Sequence, residues 1–407
     1  MRSLTFATIA VALAGYAVIL VAARGLSASD YEAFMVYWGL FFAVTGLLDG
    51  LLQETARAVT AQRTNPTSHK RIHAIPFRLT SVFALVTGLL AAASAPWWAP
   101  VVSPDLEVWG AVLFVLGLVA YAFQATVCGL ISAAHKWSTF AWLITIDSVI
   151  RLALAVWAWM VGWELLAFLI VTVIGALTWL AILFVSPATR SLLSDRADVT
   201  AGSFINRSLK AMIASGANAM IITGFPVLLK FTAGADIAAG ALAATITAVT
   251  LTRAPILVPM QRFQPALIVH FTKNRDRVVR AATLPMLAVV AIALIGGVAA
   301  YLVGQPLMNL FFPADLVVSP GALAILTVAS GSTALLMISG SAALSSDKHT
   351  LYVMGWIVAT CATVALLTVN GSPEVRSALG LGIGPLIGAA VQMSVLWASG
   401  RRKENHI

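Results

Sequence analysis

Two side chains four residues apart carry the sharpest chemistry in this 407-residue chain: Asp147 and Arg151, inside the apolar run "FAWLITIDSVIRLALAV". On a helix that spacing stacks them on one face. At the ~1.5 Å rise they lie roughly 15 and 21 Å beyond an entry at Trp137, the deepest pair in the chain. Two chemistries follow. An intrahelical salt bridge neutralises both charges and serves packing, or Arg151 leaves Asp147 to meet a diphosphate, whose oxygens a planar guanidinium fits. Arg253, in "VTLTRAPILVP", has no acid one turn away. Snorkelling from there spans much of a leaflet, so the reading is a cation facing a polar cleft. Pro255 and Pro259 follow it, removing backbone donors and favouring a bend.

A second group stands in "GLLDGLLQETARAV": Asp49, Gln53, Glu54 and Arg57. Asp49 falls about 27 Å along its helix from Tyr31, in the inner leaflet, where it either carries a coupling proton or cation or pairs with Arg57 or Arg78; pairing is favoured. Glu54 and Arg57 reach headgroup depth, as gating or interfacial groups. Arg24 and Lys230 each sit at the outer end of the first helix of a repeat, either snorkelling to phosphates or holding an anionic head. Gln124, Asn218 and Gln392 add neutral hydrogen-bonding groups, which serve as helix glue or sugar contacts.

These residues sit in a chain that is 60% hydrophobic and 10% charged, with mean hydropathy +0.93. Apolar stretches of about 20 residues, long enough for a bilayer core, recur throughout. The fold class is an all-α integral membrane protein. A net charge of +9 could suggest nucleic acid, but the basic residues fall in short loops, so it sets orientation and nucleic acid is discounted. Cys128 and Cys361 form neither a disulfide framework nor a metal site, and no cofactor motif appears. Residues 1–26 imitate a signal peptide but read as an uncleaved first helix.

The pattern predicts about 12 transmembrane helices, near 4–24, 31–58, 76–98, 107–132, 137–160, 163–186, 208–231, 237–260, 279–303, 319–344, 350–370 and 378–399. Alternate loops collect Arg63, Lys70, Arg71, Lys136, Arg190, Lys273, Arg275 and Lys348, which places them and both termini in the cytoplasm of a bacterial cell. Opposite loops carry Asp30, Asp105, Glu164, Asp236 and Asp315. Trp97, Trp98, Trp137, Trp163, Trp356 and Trp397 fall near span ends, as interfacial aromatics do. The second and eighth helices outrun the bilayer.

Half the chain repeats the other half. Gly25 pairs with Gly234 (234 − 25 = 209), Gln53 with Gln264 (264 − 53 = 211) and Lys136 with Lys348 (348 − 136 = 212). With about six spans per half, the copies are parallel repeats flanking a cleft. The domains are an N-terminal six-helix bundle (1–187), a cytoplasmic linker (188–207) and a C-terminal six-helix bundle (208–407), pseudo-symmetric around a central cleft.

The stretches "ARGLSASDYEAFMVYWGLFFAVTGLLDGLLQETARAV" and "GLISAAHKWSTFAWLITIDSVIRLALA", with their degenerate C-terminal copies, resemble the oligosaccharide/polysaccharide flippases of the multidrug/oligosaccharidyl-lipid/polysaccharide (MOP) exporter superfamily. The second repeat departs, with Ala-Gly-Ala where that family more often has an acid and an aromatic. The resemblance implies a MOP/MATE-like fold, no enzyme activity, and transfer of a polyprenyl-(di)phosphate-linked glycan to the outer leaflet by rocking bundles. It implies membrane lipids and cell-envelope glycan biosynthesis enzymes as partners. Arg24, Arg151, Lys230, Arg253, Gln124 and Asn218 are then substrate-binding candidates, and Asp49, Asp147, Glu54 and Arg57 coupling or gating ones. A proton- or sodium-coupled small-molecule exporter is the alternative. A membrane glycosyltransferase or polymerase, using the acids of "SPDLEV", is a third.

Overall fold

The computed structural model describes residues 2–64, 73–234 and 240–404. Lys70, Arg71 and Asp236 lie outside the described residues. Sixteen α-helices follow one another: α1 Arg2–Gly25, α2 Ala28–Thr64, α3 Pro76–Val102, α4 Glu107–Ala133, α5 Trp137–Val161, α6 Leu165–Ile174, α7 Thr178–Val185, α8 Pro187–Arg190, α9 Ala201–Ile222, α10 Phe225–Thr232, α11 Ala241–Lys273, α12 Val278–Ala299, α13 Gln305–Phe311, α14 Pro320–Ser345, α15 His349–Leu367 and α16 Pro373–Glu404. Eleven described helices or runs are long and apolar enough to cross a bilayer, and α9 with α10, bent by 65°, makes a twelfth. This is a multi-pass membrane protein. The expected overrun is present: α2 has 37 residues and α11 has 33, against the ~20 that span a bilayer core.

Three spans depart from simple helices. The seventh starts at Ala201 and breaks at Thr223–Gly224 before α10, so Lys230 lies on a short bent segment, not at the end of a straight helix. The ninth continues from α12 through a π-helical turn at Ala300–Gly304 into α13. The sixth is interrupted by a 3-10 turn at Gly175–Leu177.

Packing divides the chain into two units, Met1–Val227 and Leu228–Ile407. In the first, α2 packs on α4, α6 and α9, α1 lies along α5, and α3 lies along α4. In the second, α14 packs on α11, α12, α15 and α16. By this division α9, assigned from sequence to the C-terminal bundle, sits with the first unit. Small residues let it approach α2 closely: a Cβ at Gly50 would collide with the backbone of Ala211 and Met212, and Gln53 Nε2 donates to Ser215 Oγ at 2.9 Å. The segment before α9 is tied down too. Ala197 N donates to Ala74 O (2.8 Å), Asp198 N to Ala58 O (3.1 Å), and Arg63 pairs with Asp195 (2.6 Å).

The internal repeat is visible in backbone geometry. α4 and α14 end in the same turn, with His135 (φ 53°) and Asp347 (φ 58°) in the left-handed region where a residue after a helix C-terminus often sits. Lys136 N reaches back to Ile131 O (3.1 Å) and Lys348 N to Ala343 O (3.0 Å). Each donor and acceptor is displaced by the 212 residues that relate Lys136 to Lys348. Trp356, expected among the interfacial aromatics, is instead fully buried on α15, its ring against Gly340 of α14. It stands about two turns into α15, where the small face of α14 leaves room for a ring.

Candidate functional site

Within the first unit, α2, α4, α5 and the broken sixth span enclose a polar cluster in an otherwise apolar interior. Arg151 is 4% exposed. Its Nε donates to Asp147 Oδ1 at 2.5 Å, one turn back on α5, and its Nη1 donates to the carbonyl of Thr172. The guanidinium carbon lies 5.1 Å from the ring centre of Phe42 and 5.8 Å from that of Trp38, both on α2. Such contacts favour a cation, more so when it is desolvated. Nη2 is buried with no hydrogen-bond partner.

The helix break builds this arrangement. A Cβ at residue 175 would collide with Asp147 Oδ1 and with Arg151 Nε and Nη2, so glycine is the residue that leaves space for the pair. The 3-10 turn exposes carbonyls that side chains then take. Thr178 Oγ1 donates to Gly175 O (2.8 Å), and Gln124 on α4, with its amide turned to suit these acceptors, donates to Gly175 O and Ala176 O at 2.9 Å each. In the other amide orientation Gln124 Nε2 faces Asp147 Oδ2 at 3.4 Å. Asp49 joins from α2: Tyr121 Oη donates to its Oδ1 at 2.8 Å. Tyr121 and Gln124, three residues apart on α4, share a face, so both carboxylates lie along it.

The structure thus brings Gln124, Asp147 and Arg151 together, with Asp49 alongside. The expected pairing of Asp49 with Arg57 or Arg78 is corrected: its partner is Tyr121, because Arg57 is taken by Glu54 (2.6 Å) and Asp198 (3.1 Å). Glu54 is buried under that clasp, not solvated. Arg24 is exposed at the end of α1, and Asn218 is half-buried on α9 with Oδ1 unpartnered. In the second unit, Lys230 is half-buried and Arg253, at 5% exposure, is buried on α11. Gln392 is a bridge there, accepting from Ser339 (2.6 Å) and donating to Tyr352 O (3.0 Å), as helix glue does. Sequence reasoning missed Tyr121, Trp38, Phe42 and Gly175. Gly175, opposite a charged pair at similar depth, was the readable signal among them.

The second unit holds the uncharged version of the same joint. The 212-residue offset carries Asp147 onto Ala359 (359 − 147) and Arg151 onto Thr363 (363 − 151), both fully buried on α15. Glycines again face them: a Cβ at Gly388 would lie 2.8 Å from Ala359 Cβ, and one at Gly384 would collide with Thr363 Oγ1. Small side chains suffice to pack that joint.

No protein-family model matches the chain. The uncharacterized protein Mb3654 of Mycobacterium bovis is 35% identical over 390 residues, covering 96% of this chain and 90% of its own length. The chain belongs to the family of Mb3654. Among solved structures, an inward-facing multidrug resistance MATE family transporter of the MOP superfamily superposes with TM-score 0.74 at 14% identity, over 96% of this chain and 94% of its own. A MOP superfamily transporter from Pyrococcus furiosus, for which reversed binding-pocket polarity suggests a different function, superposes with TM-score 0.68 at 15% identity, over 99% and 94%. This member of the Mb3654 family therefore has the MOP transporter fold.

Proposed function

We propose that this protein is a flippase, moving a polyprenyl-(di)phosphate-linked glycan from the cytoplasmic to the outer leaflet of a bacterial cytoplasmic membrane, with both termini cytoplasmic. One observation carries the reading. The first unit keeps an ion pair whose guanidinium is buried, with one of its nitrogens lacking a hydrogen-bond partner, at a joint that the second unit packs with alanine and threonine. An ionisable group at that depth costs ~3 kcal/mol or more on insertion scales, so the pair is retained for something other than fit.

The geometry supports an exchange. Nη2 of Arg151 takes a phosphate oxygen, and as the guanidinium turns toward it, Gln124 rotates its amide from the Gly175 and Ala176 carbonyls to the Asp147 carboxylate. Asp147 then never stands bare in low dielectric. Trp38 and Phe42 flank the cation as it works. Arg253 on α11 is proposed as a further cation for phosphate, Asn218 as a contact for sugar hydroxyls, and Arg24 and Lys230 each as a contact for an anionic head. Membrane lipids and envelope-glycan enzymes supply and accept the substrate.

The test is deletion of the gene followed by analysis of lipid-linked intermediates. Accumulation of a polyprenyl-linked glycan in the inner leaflet, reversed by the wild-type chain but not by Arg151→Ala present at equal level in the membrane, supports the reading; unchanged intermediates refute it. A second reading, a proton- or sodium-coupled exporter of small molecules, draws on Asp49 of α2 and Asp147 of α5 lying against the same face of α4 and on the multidrug transporter among the fold's neighbours. Coupled uptake of a cationic dye into proteoliposomes, without any effect of polyprenyl diphosphates, favours it.

A further inference from the structure

The second unit carries a groove that takes no part in the cluster above. A cavity of about 490 Å³ lies between α11, α12 and α14, within the ~300–1,000 Å³ of pockets that hold small molecules. Pro259, Phe263 and Leu267 form its α11 wall, Pro285 and Val289 its α12 wall, and Ile338 closes it from α14. Proline rings stand where backbone donors would, and they favour bends that keep neighbouring helices apart. Among the described lining residues His270 is the one titratable side chain, at the end of the α11 face.

Beyond His270 the character changes. Lys273, three residues on, continues the same helix face about 4.5 Å further along the axis. The connecting turn adds Arg275 and Arg277, and Arg280 opens α12; all four cations are exposed. Arg275 is held by Asp347, in the left-handed turn after α14, which fixes the turn beside the groove and leaves Lys273 and Arg277 presented. A hydrocarbon slot that runs into clustered cations matches an amphiphile with an acidic head. Basic pockets between membrane helices on the cytoplasmic side bind such heads.

We propose that an anionic phospholipid docks here, one acyl chain in the α11–α12–α14 groove and its phosphate on Lys273 and Arg277. The occupant is a resident lipid of the bilayer, and the assignment stands independently of what the transporter carries. Cations at the helix ends lie where phospholipid phosphates lie. Among the described lining residues, none besides His270 offers a side-chain partner to a sugar.

The experiment is native mass spectrometry of the full chain in detergent, titrated with phosphatidylglycerol and phosphatidylcholine separately, and with undecaprenyl phosphate in competition with phosphatidylglycerol. Phosphatidylglycerol is expected to bind about thirtyfold more tightly than phosphatidylcholine, since two added cation contacts act on its net charge. Lys273→Gln with Arg277→Gln should bring the two lipids level. Both residues are exposed, so the variant leaves the core intact. Ala288→Phe, in the groove wall, should weaken both phospholipids together. Equal binding of the two by the wild type, a preference that survives the double substitution, or displacement of phosphatidylglycerol by equimolar undecaprenyl phosphate would each overturn the assignment, the last by giving the groove to a polyprenyl chain.

Discussion

Transplanting the second unit's joint into the first separates packing from function. The perturbation is Asp147→Ala with Arg151→Thr, the residues found at 359 and 363. Removing Arg151 alone leaves a part-buried carboxylate with the Gln124 amide to turn to it; breaking a fully buried pair costs about 3–5 kcal/mol, and with Asp147 18% exposed the loss here is smaller. Removing Asp147 alone strands the guanidinium, with its contacts to Thr172 O, Trp38 and Phe42 as compensation. The double replacement leaves no charge. Exchanging a buried pair for neutral packing is often neutral or stabilising by about 1–4 kcal/mol. Against that stands the Thr172 carbonyl, which loses a partner at about 1–3 kcal/mol. The double variant should therefore unfold near the wild-type midpoint and above both single variants. Thermal unfolding in detergent reads the order, and translocation in proteoliposomes reads function, which should be lost in all three. A double variant as unstable as Arg151→Ala would show that the pair serves the fold; a stable double variant that still transports would remove the pair from the mechanism.

Three further outcomes are expected. Gly175→Ala should lower the unfolding midpoint relative to Gly15→Ala, because a Cβ at 175 meets the ion pair while one at 15 meets nothing within 4 Å; overpacking costs about 1–3 kcal/mol, against ~1 gained from alanine's helix propensity. Gln392→Ala should destabilise by about 1–3 kcal/mol, leaving Ser339 and the Tyr352 carbonyl short of a partner, with thermal unfolding as the readout. Gln53→Cys with Ser215→Cys, in a background lacking Cys128 and Cys361, should cross-link on oxidation; transport blocked by oxidant and restored by reductant would show that α2 and α9 part during the cycle.

Span count, helix overrun and the repeat were legible because each rests on one-dimensional signals: hydropathy over about 20 residues, charge in short loops, and a fixed offset between polar landmarks. The pairing of Asp147 with Arg151 was legible too, since residues four apart on a helix must meet. Partners supplied by other helices were not. Tyr121 is 72 positions from Asp49, and no local pattern links them. Trp356 was misplaced because a tryptophan near a span end and one facing a small-residue helix look alike in sequence. The unit boundary escaped for the same reason, because close approach of α2 and α9 depends on Gly50 meeting the backbone of Met212, 162 residues away.

Duplication supplies its own control on what the charges do. Both copies kept the left-handed turn after the fourth helix of the repeat, and both kept glycines facing the fifth. Those features answer steric demands that do not depend on cargo. The copies diverged where chemistry is expensive: one notch holds a carboxylate and a guanidinium, the other a methyl and a hydroxyl. If charge were needed to close this joint in a bilayer, the α15–α16 joint would lack it at a cost, yet Ala359 and Thr363 are fully buried and Thr363 Oγ1 donates to Gly380 O at 3.1 Å. The joint can therefore be satisfied without ions. Keeping them in one half, beside an amide that can turn to either the carbonyls or the carboxylate, fits a site that must accept and release an anion.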